Sequence, residues 1–465
     1  MSGRRRLGTL AAALVGVAGC AVGPDYRAPE PGPAASAPFA GADLDVFDGR
    51  APSPDWWRLY DDPVLDAAIA EAFDANTDLR AAAANLSRAA AVVREARSDR
   101  LPATTFGAGA TSGRQNFVQQ GFAFEDTVYD VRFDVSYQLD LFGRVTRAIQ
   151  AARADAEAVE AVYHAVQITV AAETARAYVA ACAARLELAA AERSLAVQRE
   201  TQALTERLYE AGRGTALDVA RASAAAEQTR AAIPTLEAAH RSALYRLAVL
   251  MGRAPTEFPP EAAECQSPPT IAAPIAVGDG AALLARRPDI REAERRLAAA
   301  TARIGLATAQ LYPNVSLAGS AGAVALSAGD LDSGDASRWS FGPLLRFSFP
   351  NRTVARARLA QAEADADAAL AAFDGAWLNA LREVESALSD YAKELERRAA
   401  LEAARGHAAE AARLADARFN AGQVSFLDVL QADLALAEAE MALARSQARA
   451  ADLEVALFLA LGGGW

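Results

Sequence analysis

Cysteine is nearly missing: Cys20, Cys182 and Cys265 are the only 3 in 465 residues, with no CxxC spacing. Histidine is as scarce, with His164, His240 and His407 scattered along the chain. A zinc site or catalytic histidine cluster is therefore excluded, and no metal or cofactor is expected beyond a covalent lipid argued below. There is no surplus of positive charge either. With 47 Lys and Arg against 59 Asp and Glu, a formal net charge of -12, the chain lacks what phosphate backbones require, so nucleic acid is not a partner. Past Cys20 no window offers about 18 consecutive apolar residues free of charge, which excludes a transmembrane helix. If this chain crosses a membrane, strands do it. No nucleophile with a base and orienting group is visible, and no phosphate loop, so an enzyme is not expected.

What is present centres on Val131 to Ala211. From Val131 to Leu141 every odd position is apolar or aromatic, including Phe133, Val135, Tyr137 and Leu139, while the even ones are Arg132, Asp134, Ser136, Gln138 and Asp140. One face is oily and the other wet. After Gly143 the period changes, and from about Arg144 to Ala211 neither proline nor glycine occurs. Alanine dominates, the best helix former, so a rod of roughly 100 Å is expected. A strand that runs into such a rod suggests a membrane-embedded sheet with a helical extension.

The N-terminus carries an address. Arg4, Arg5 and Arg6 precede an apolar run from Leu7 to Ala18, too short to span a bilayer but suited to a secretory signal over 1–19. It ends in Val17-Ala18-Gly19-Cys20, which resembles the bacterial lipobox, where cleavage precedes a cysteine that is then acylated. Such acylation holds a protein stably at a membrane surface. Ala21 stands where the aspartate of inner-membrane retention would be, which points to the outer membrane. Residues 20–55, rich in proline, glycine and alanine, read as an extended arm with little regular structure.

The rest is written twice. Tyr209 to Val219 aligns with Phe419 to Val429: Ala-Gly-x-x-[ST]-x-Leu-Asp-Val recurs, with Gly212, Thr215 and Asp218 answered by Gly422, Ser425 and Asp428. Each copy reads as helix, strand, strand, very long helix, tight turn, helix. Copy one spans 56–252, with strands at about 102–113 and 128–142 and long helices at about 144–211 and 216–251. Copy two spans 281–465, with strands at about 313–327 and 338–349, the second carrying Phe341, Leu345 and Phe347, and long helices at about 352–421 and 426–461. Residues 253–280 form a proline-rich linker and equatorial segment. Polar residues 113–127 and 327–337 are expected to close the strand hairpins as loops. In each helix turn the glycine suits the left-handed position that stops a helix, the Thr or Ser suits the next N-cap, and the aspartate completes a capping box.

Four strands cannot close a barrel, which needs about eight, and an open sheet leaves edge groups unpaired in hydrocarbon. The barrel must be shared among copies, and strand counting allows a dimer of eight or a trimer of twelve. A helical periplasmic adaptor or scaffold lipoprotein is the alternative, but an adaptor does not need an aromatic, lipid-facing sheet.

With Cys20 followed by Gly23-Pro24-Asp25-Tyr26, Trp56-Trp57, Asp140-Leu141-Phe142-Gly143-Arg144, the doubled turn and the ending Ala460-Leu461-Gly462-Gly463-Gly464-Trp465, the mature chain resembles an outer-membrane efflux lipoprotein of the TolC superfamily, in the branch serving resistance-nodulation-division transporters. The resemblance implies a mainly α chain with a membrane β-barrel: a homotrimer with a 12-stranded β-barrel in outer-membrane lipid and a 12-helix α-barrel in the periplasm. It implies a passive exit duct, opened by a periplasmic adaptor protein and an inner-membrane transporter, that passes drugs, metals or other small molecules. The helix turns would then be periplasmic tips that meet the adaptor. Rings of Leu and Asp narrow this entrance in relatives; Leu427 falls at the leucine position, while the aspartate position is Gln431 here. Arg418, Phe419, Leu427, Asp428 and Gln431 are the gate candidates, although for Asp428 helix capping is the favoured reading over a selectivity ring.

Overall fold

The computed structural model describes residues 21–29, 32, 35, 37–42, 44–117, 122–347 and 352–463. Cys20 and the leader lie outside them, as do the last two residues of the strand expected at 338–349. In chain order the elements are β1 (Phe47–Asp48), a 3-10 turn (Trp56–Tyr60), α1 (Pro63–Ala75), α2 (Thr77–Ser98), β2 (Ala103–Phe117), β3 (Phe122–Leu139), α3 (Arg144–Glu210) and α4 (Ala216–Leu250). The second half follows with α5 (Pro260–Ala263), β4 (Ile275–Ala276), α6 (Gly280–Arg286), α7 (Pro288–Ala309), β5 (Asn314–Ala325), β6 (Ser337–Arg346), α8 (Thr353–Asn420) and α9 (Phe426–Ala460). The chain is mainly helical, and the helix, strand, strand, long helix, helix order occurs twice.

The chain divides into two compact units. The first, with described residues 21–29, 85–117, 122–160, 292–347 and 352–374, holds the four-stranded sheet. Its order is β2-β3-β5-β6 and all its pairings are antiparallel, so β2 and β6 are the free edges. Two hairpins, one per copy, are joined where β3 meets β5, with Phe133 opposite Ala321 and Tyr137 opposite Leu317.

The second unit, residues 31–84, 161–291 and 375–463, holds the main hydrophobic core. Trp56 is fully buried, stacked on Phe458 with ring centroids 4.7 Å apart and edge-on to Trp57 and Tyr60. Leu65, Ile69, Leu244, Leu247, Leu388 and Leu457 complete it. Alanines at 171, 172, 175, 177 and 181 are also buried, which lets the helices approach closely. On α8, Val384, Leu388 and Tyr391 recur at fours and threes along one helix face and are buried, whereas Leu370 is exposed.

Helix ends are fixed by side chains. Asp62 accepts the N–H groups of Val64 and Leu65 at the start of α1, and its other oxygen accepts the Tyr178 hydroxyl at 2.7 Å. Asn76 is buried: its oxygen caps α2 through Asp78 and Leu79, and its amide donates to the Leu250 carbonyl that ends α4. At the C-terminal end of α9, Arg287 donates to the Ala460 carbonyl while held by Asp289 and Glu383.

Three expectations need correction. Residues 113–127 do not form a loop: the hairpin stays paired from Gly113 opposite Asp126 to Phe117 opposite Phe122. The strand expected at 128–142 ends at Leu139, because the Asp140 carboxylate turns to cap the next helix. The strand expected at 338–349 ends at Arg346, leaving Phe347 one residue past it. Its partner β5 begins at Asn314, and the preceding Pro313 has no N–H to extend the ladder. The arm 20–55 has the little regular structure expected, its two-residue β1 pairing in parallel with β4 of the linker through Phe47 and Ile275. The linker is also fastened by a disulfide between Cys182 and Cys265, which the spacing of 83 residues did not disclose.

Candidate functional site

The sheet sorts its residues by chemistry. Because paired residues share a face, Phe133, Val135, Tyr137 and Leu139 stand on one side with Phe106, Val315, Leu317, Gly319, Ala321, Trp339, Phe341 and Leu345. Trp339 and Phe341 are 82 % and 75 % exposed, and Phe133 and Leu345 are exposed as well. Large rings left bare on one side of a sheet are what a hydrocarbon surrounding selects. The opposite face carries Arg132, Asp134, Ser136, Gln138, Ser320 and Ser340. Arg132 and Asp134 form an ion pair at 3.6 Å, and the hydroxyls of Ser320 and Ser340 meet at 2.9 Å. Small residues make room there: a Cβ on Gly322 would sit 2.1 Å from the Val131 carbonyl oxygen.

At the foot of the sheet the chain turns into α3. Asp140 accepts the N–H groups of Val145 and Thr146 at 2.8 Å, satisfying donors that the first helical turn leaves free. Gly143 has φ of +74°, and a Cβ there would strike Ala21 at 2.5 Å, so the N-terminal arm lies against this turn. The arm is pinned: the Val22 N–H donates to the Phe142 carbonyl at 3.2 Å, and the buried Arg147 guanidinium donates to the carbonyls of Val22 and Gly23 and pairs with Asp25 at 2.9 Å. Farther on, the Tyr26 hydroxyl donates to Glu294 at 2.6 Å, and burial together with that carboxylate pushes its pKa well up.

The two helix turns are near copies. Gly212 and Gly422 have φ of +71° and +72°. The N–H groups of Arg213 and Gln423 return to the carbonyls of Leu208 and Arg418, at 2.8 and 2.9 Å. Thr215 with Asp218 and Ser425 with Asp428 each complete a capping box. The Ser425 hydroxyl, with its own N–H, holds the Asp428 carboxyl below the ordinary carboxylate range. Arg418, Leu427, Asp428 and Gln431 are all exposed, and Phe419 lies edge-on to Phe426 with centroids 5.9 Å apart. Copy one has Tyr209 and Ala216 at the corresponding places and so has no such ring pair; Tyr209 and Leu217 are exposed. Sequence reasoning also missed Asp433, which accepts the Thr201 hydroxyl at 3.0 Å and ties α9 to α3. Only a register between two helices could have revealed it.

Among the described residues no group of three or more His, Cys, Asp or Glu is placed to hold a metal ion, and no helix is long and apolar enough to cross a membrane.

Known proteins share this arrangement over nearly the whole length. Nodulation protein T of Rhizobium leguminosarum bv. trifolii is 31 % identical over 453 residues, covering 97 % of this chain and 95 % of its own. Outer membrane protein OprJ of Pseudomonas aeruginosa is 33 % identical over 458 residues, covering 96 % and 93 %. The solved outer-membrane channel OprN superposes with a TM-score of 0.90 at 38 % identity, covering 96 % of this chain and all of that one. The sequence pattern described as outer membrane efflux protein matches residues 68–253 and 281–463. Since that match runs through both copies and over well more than half of the chain, the chain belongs to the outer membrane efflux protein family.

Proposed function

We infer that this outer-membrane efflux protein works as a passive exit duct built from three copies, with no chemistry of its own. The observation that carries this is the sheet: four strands, one face of exposed rings, and two free edges at β2 and β6. Unpaired edge groups in hydrocarbon cost several kcal/mol each, so each β6 pairs with the β2 of the next copy until the ring closes. The dimensions agree. Tyr129 to Leu139, at about 3.3 Å per residue, runs about 35 Å along the strand, and a tilt of about 40° reduces this to about 27 Å of height. The apolar band of such barrels is about 25 Å tall. The opposite face, with Arg132, Asp134, Ser136 and Gln138, lines the water-filled interior.

Acylation of Cys20 anchors the arm, whose docking at Phe142 supports an attachment level with the foot of the sheet. The two helix hairpins form the periplasmic end, where Arg418, Phe419, Leu427, Asp428 and Gln431 constrict the entrance. A periplasmic adaptor parts them when an inner-membrane transporter of the resistance-nodulation-division class is engaged. The adaptor grips the copy-one turn through its exposed Tyr209 and Leu217. Native mass spectrometry of detergent-extracted protein, followed by planar-bilayer recording, tests the duct. A trimer that conducts is expected, and conductance rises when Leu427→Ala widens the entrance. A soluble monomer without conductance overturns the reading.

A further inference from the structure

We propose that the cavity at the foot of the sheet opens to the duct and binds the phosphate group of a passing solute, so that the duct favours phosphorylated small molecules as cargo. The proposal rests on the sheet closing into the water-filled wall inferred above. Side chains alternate along a strand, so Arg346 stands on the same face of β6 as Ser340. Its partner Asn314 shares that polar side with Ser316 and Ser320, which pair with Gln138 and Asp134 of β3. Gln138, Asn314 and Arg346 all line one cavity of about 640 Å³, together with Asp140, Arg144 at the start of α3 and Arg358 of α8. A ring of three copies therefore turns nine arginines toward the aqueous path where strands give way to helices. Rings of arginine are how pores select anions and phosphate.

The positive charge here is left without an internal partner. Among the described residues Arg144, Arg346 and Arg358 form no ion pair, whereas Arg147 pairs with Asp25 and Arg303 with Asp155. Arg358 donates to the neutral Gln310 oxygen at 3.0 Å. The one carboxylate on the lining is engaged elsewhere: one Asp140 oxygen accepts the Val145 N–H, and the other accepts the N–H and hydroxyl of Thr146. In a chain of net charge -12, the three segments that meet at the cavity carry Asp140 as their sole acidic residue. No other occurs between Asp134 and Asp155, between Glu294 and Asp330, or between Asp335 and Glu363. Closing the ring does not neutralise Arg346 either, since β2, the strand that arrives beside β6, has no acidic residue from Ala103 to Phe117. Nor does Arg144 serve its helix. It opens α3, whose first turn has no acidic residue, so its cation meets the positive end of the helix dipole. A phosphate monoester brings three acceptor oxygens and a charge of about -1.5 to -2, which three guanidinium forks match better than they match a carboxylate with one charge.

The test titrates full-length trimer in detergent at low salt with glucose 6-phosphate, glucuronate or glucose by calorimetry, and records the reversal potential of the same preparation in a planar bilayer under a KCl gradient. Wild type should bind glucose 6-phosphate at least five-fold more tightly than glucuronate, and glucose not at all. The triple variant Arg144→Gln, Arg346→Gln, Arg358→Gln should bind glucose 6-phosphate at least ten-fold more weakly and shift the reversal potential toward that of potassium, while keeping its trimer mass. If the triple variant does not assemble, Arg346→Gln alone, at the last position of β6, is held to the same two readouts with at least a three-fold loss of binding. Undiminished binding in the assembled variant overturns the site, as does a conducting wild type that does not bind glucose 6-phosphate. Equal binding of glucuronate overturns the choice of phosphate. Weakened binding with an unmoved reversal potential overturns the opening to the duct. A wild type that neither trimerises nor conducts overturns the duct reading itself, which the bilayer record distinguishes from failure of the site alone.

Discussion

Adjacent residues on β6 face opposite surroundings, so one strand supplies both a sharp perturbation and its control. Phe341 pairs with Gly319, which pairs in turn with Val135, placing the ring in the middle of the apolar stretch. Phe341→Arg puts a guanidinium on the lipid side near mid-depth, which costs about 2–4 kcal/mol per copy and about 10 kcal/mol per trimer. Ser340→Arg, one residue earlier, points the same group into the aqueous interior. Its cost is about 1 kcal/mol per copy, from the lost hydroxyl pair with Ser320. The assay is the melting of the detergent-solubilised trimer, with bilayer recording alongside. Phe341→Arg should fail to accumulate as trimer or melt far below wild type. Ser340→Arg should melt within a few degrees of wild type and shift ion selectivity toward anions. Equal damage from the two variants, or tolerance of arginine at 341 with collapse at 340, would refute the assignment of faces.

Three further expectations concern the helical unit. Reducing the Cys182–Cys265 bond, or replacing both residues with serine, releases a loop of 83 residues and should cost roughly 4–5 kcal/mol, read as a trimer melting temperature that reductant lowers in wild type and that is already low, and unchanged by reductant, in the serine variant. Burial pushes the Glu454 carboxyl up to about 7, partly offset by the Tyr391 hydroxyl that donates to it at 3.3 Å. The folded state therefore binds this proton more tightly than the unfolded chain does. Stability should fall between about pH 4.5 and 7 and level off above, and Glu454→Gln should flatten the thermal-melt profile across that window. Gly422→Ala strains a left-handed turn at φ +72° by about 1–2 kcal/mol, so hydrogen exchange at Gln423 to Val429 should quicken while the sheet stays protected.

The alternation of Val131 to Leu139, the helix rods, and the doubled glycine-to-aspartate turns could be read from the chain because each is local: period two, period 3.6, and a cap three residues long. Residues 113–127 misled for a physical reason. Polar, glycine-containing sequence of this kind reads as loop, yet Arg114 and Glu125, which pair at 3.4 Å, sit on paired strands. Nor could the sequence alone disclose that Arg287 gathers Glu383 and the Ala460 carbonyl, or that Glu454 lies beside Tyr391. Those contacts join segments far apart in the chain, and nothing in a single helical period records which partner arrives.

The two exposed edges of the sheet are unlike, one of 15 residues at β2 and one of 10 at β6. Each seam in a closed ring therefore joins two different margins, and every subunit must be competent on its left and on its right. In a cell making equal amounts of intact chain and a chain spoiled along β6, random assembly leaves only about one ring in eight free of a faulty seam. The inheritance of such a lesion would be dominant, and its severity would track the ratio of the two products rather than the presence of a good allele.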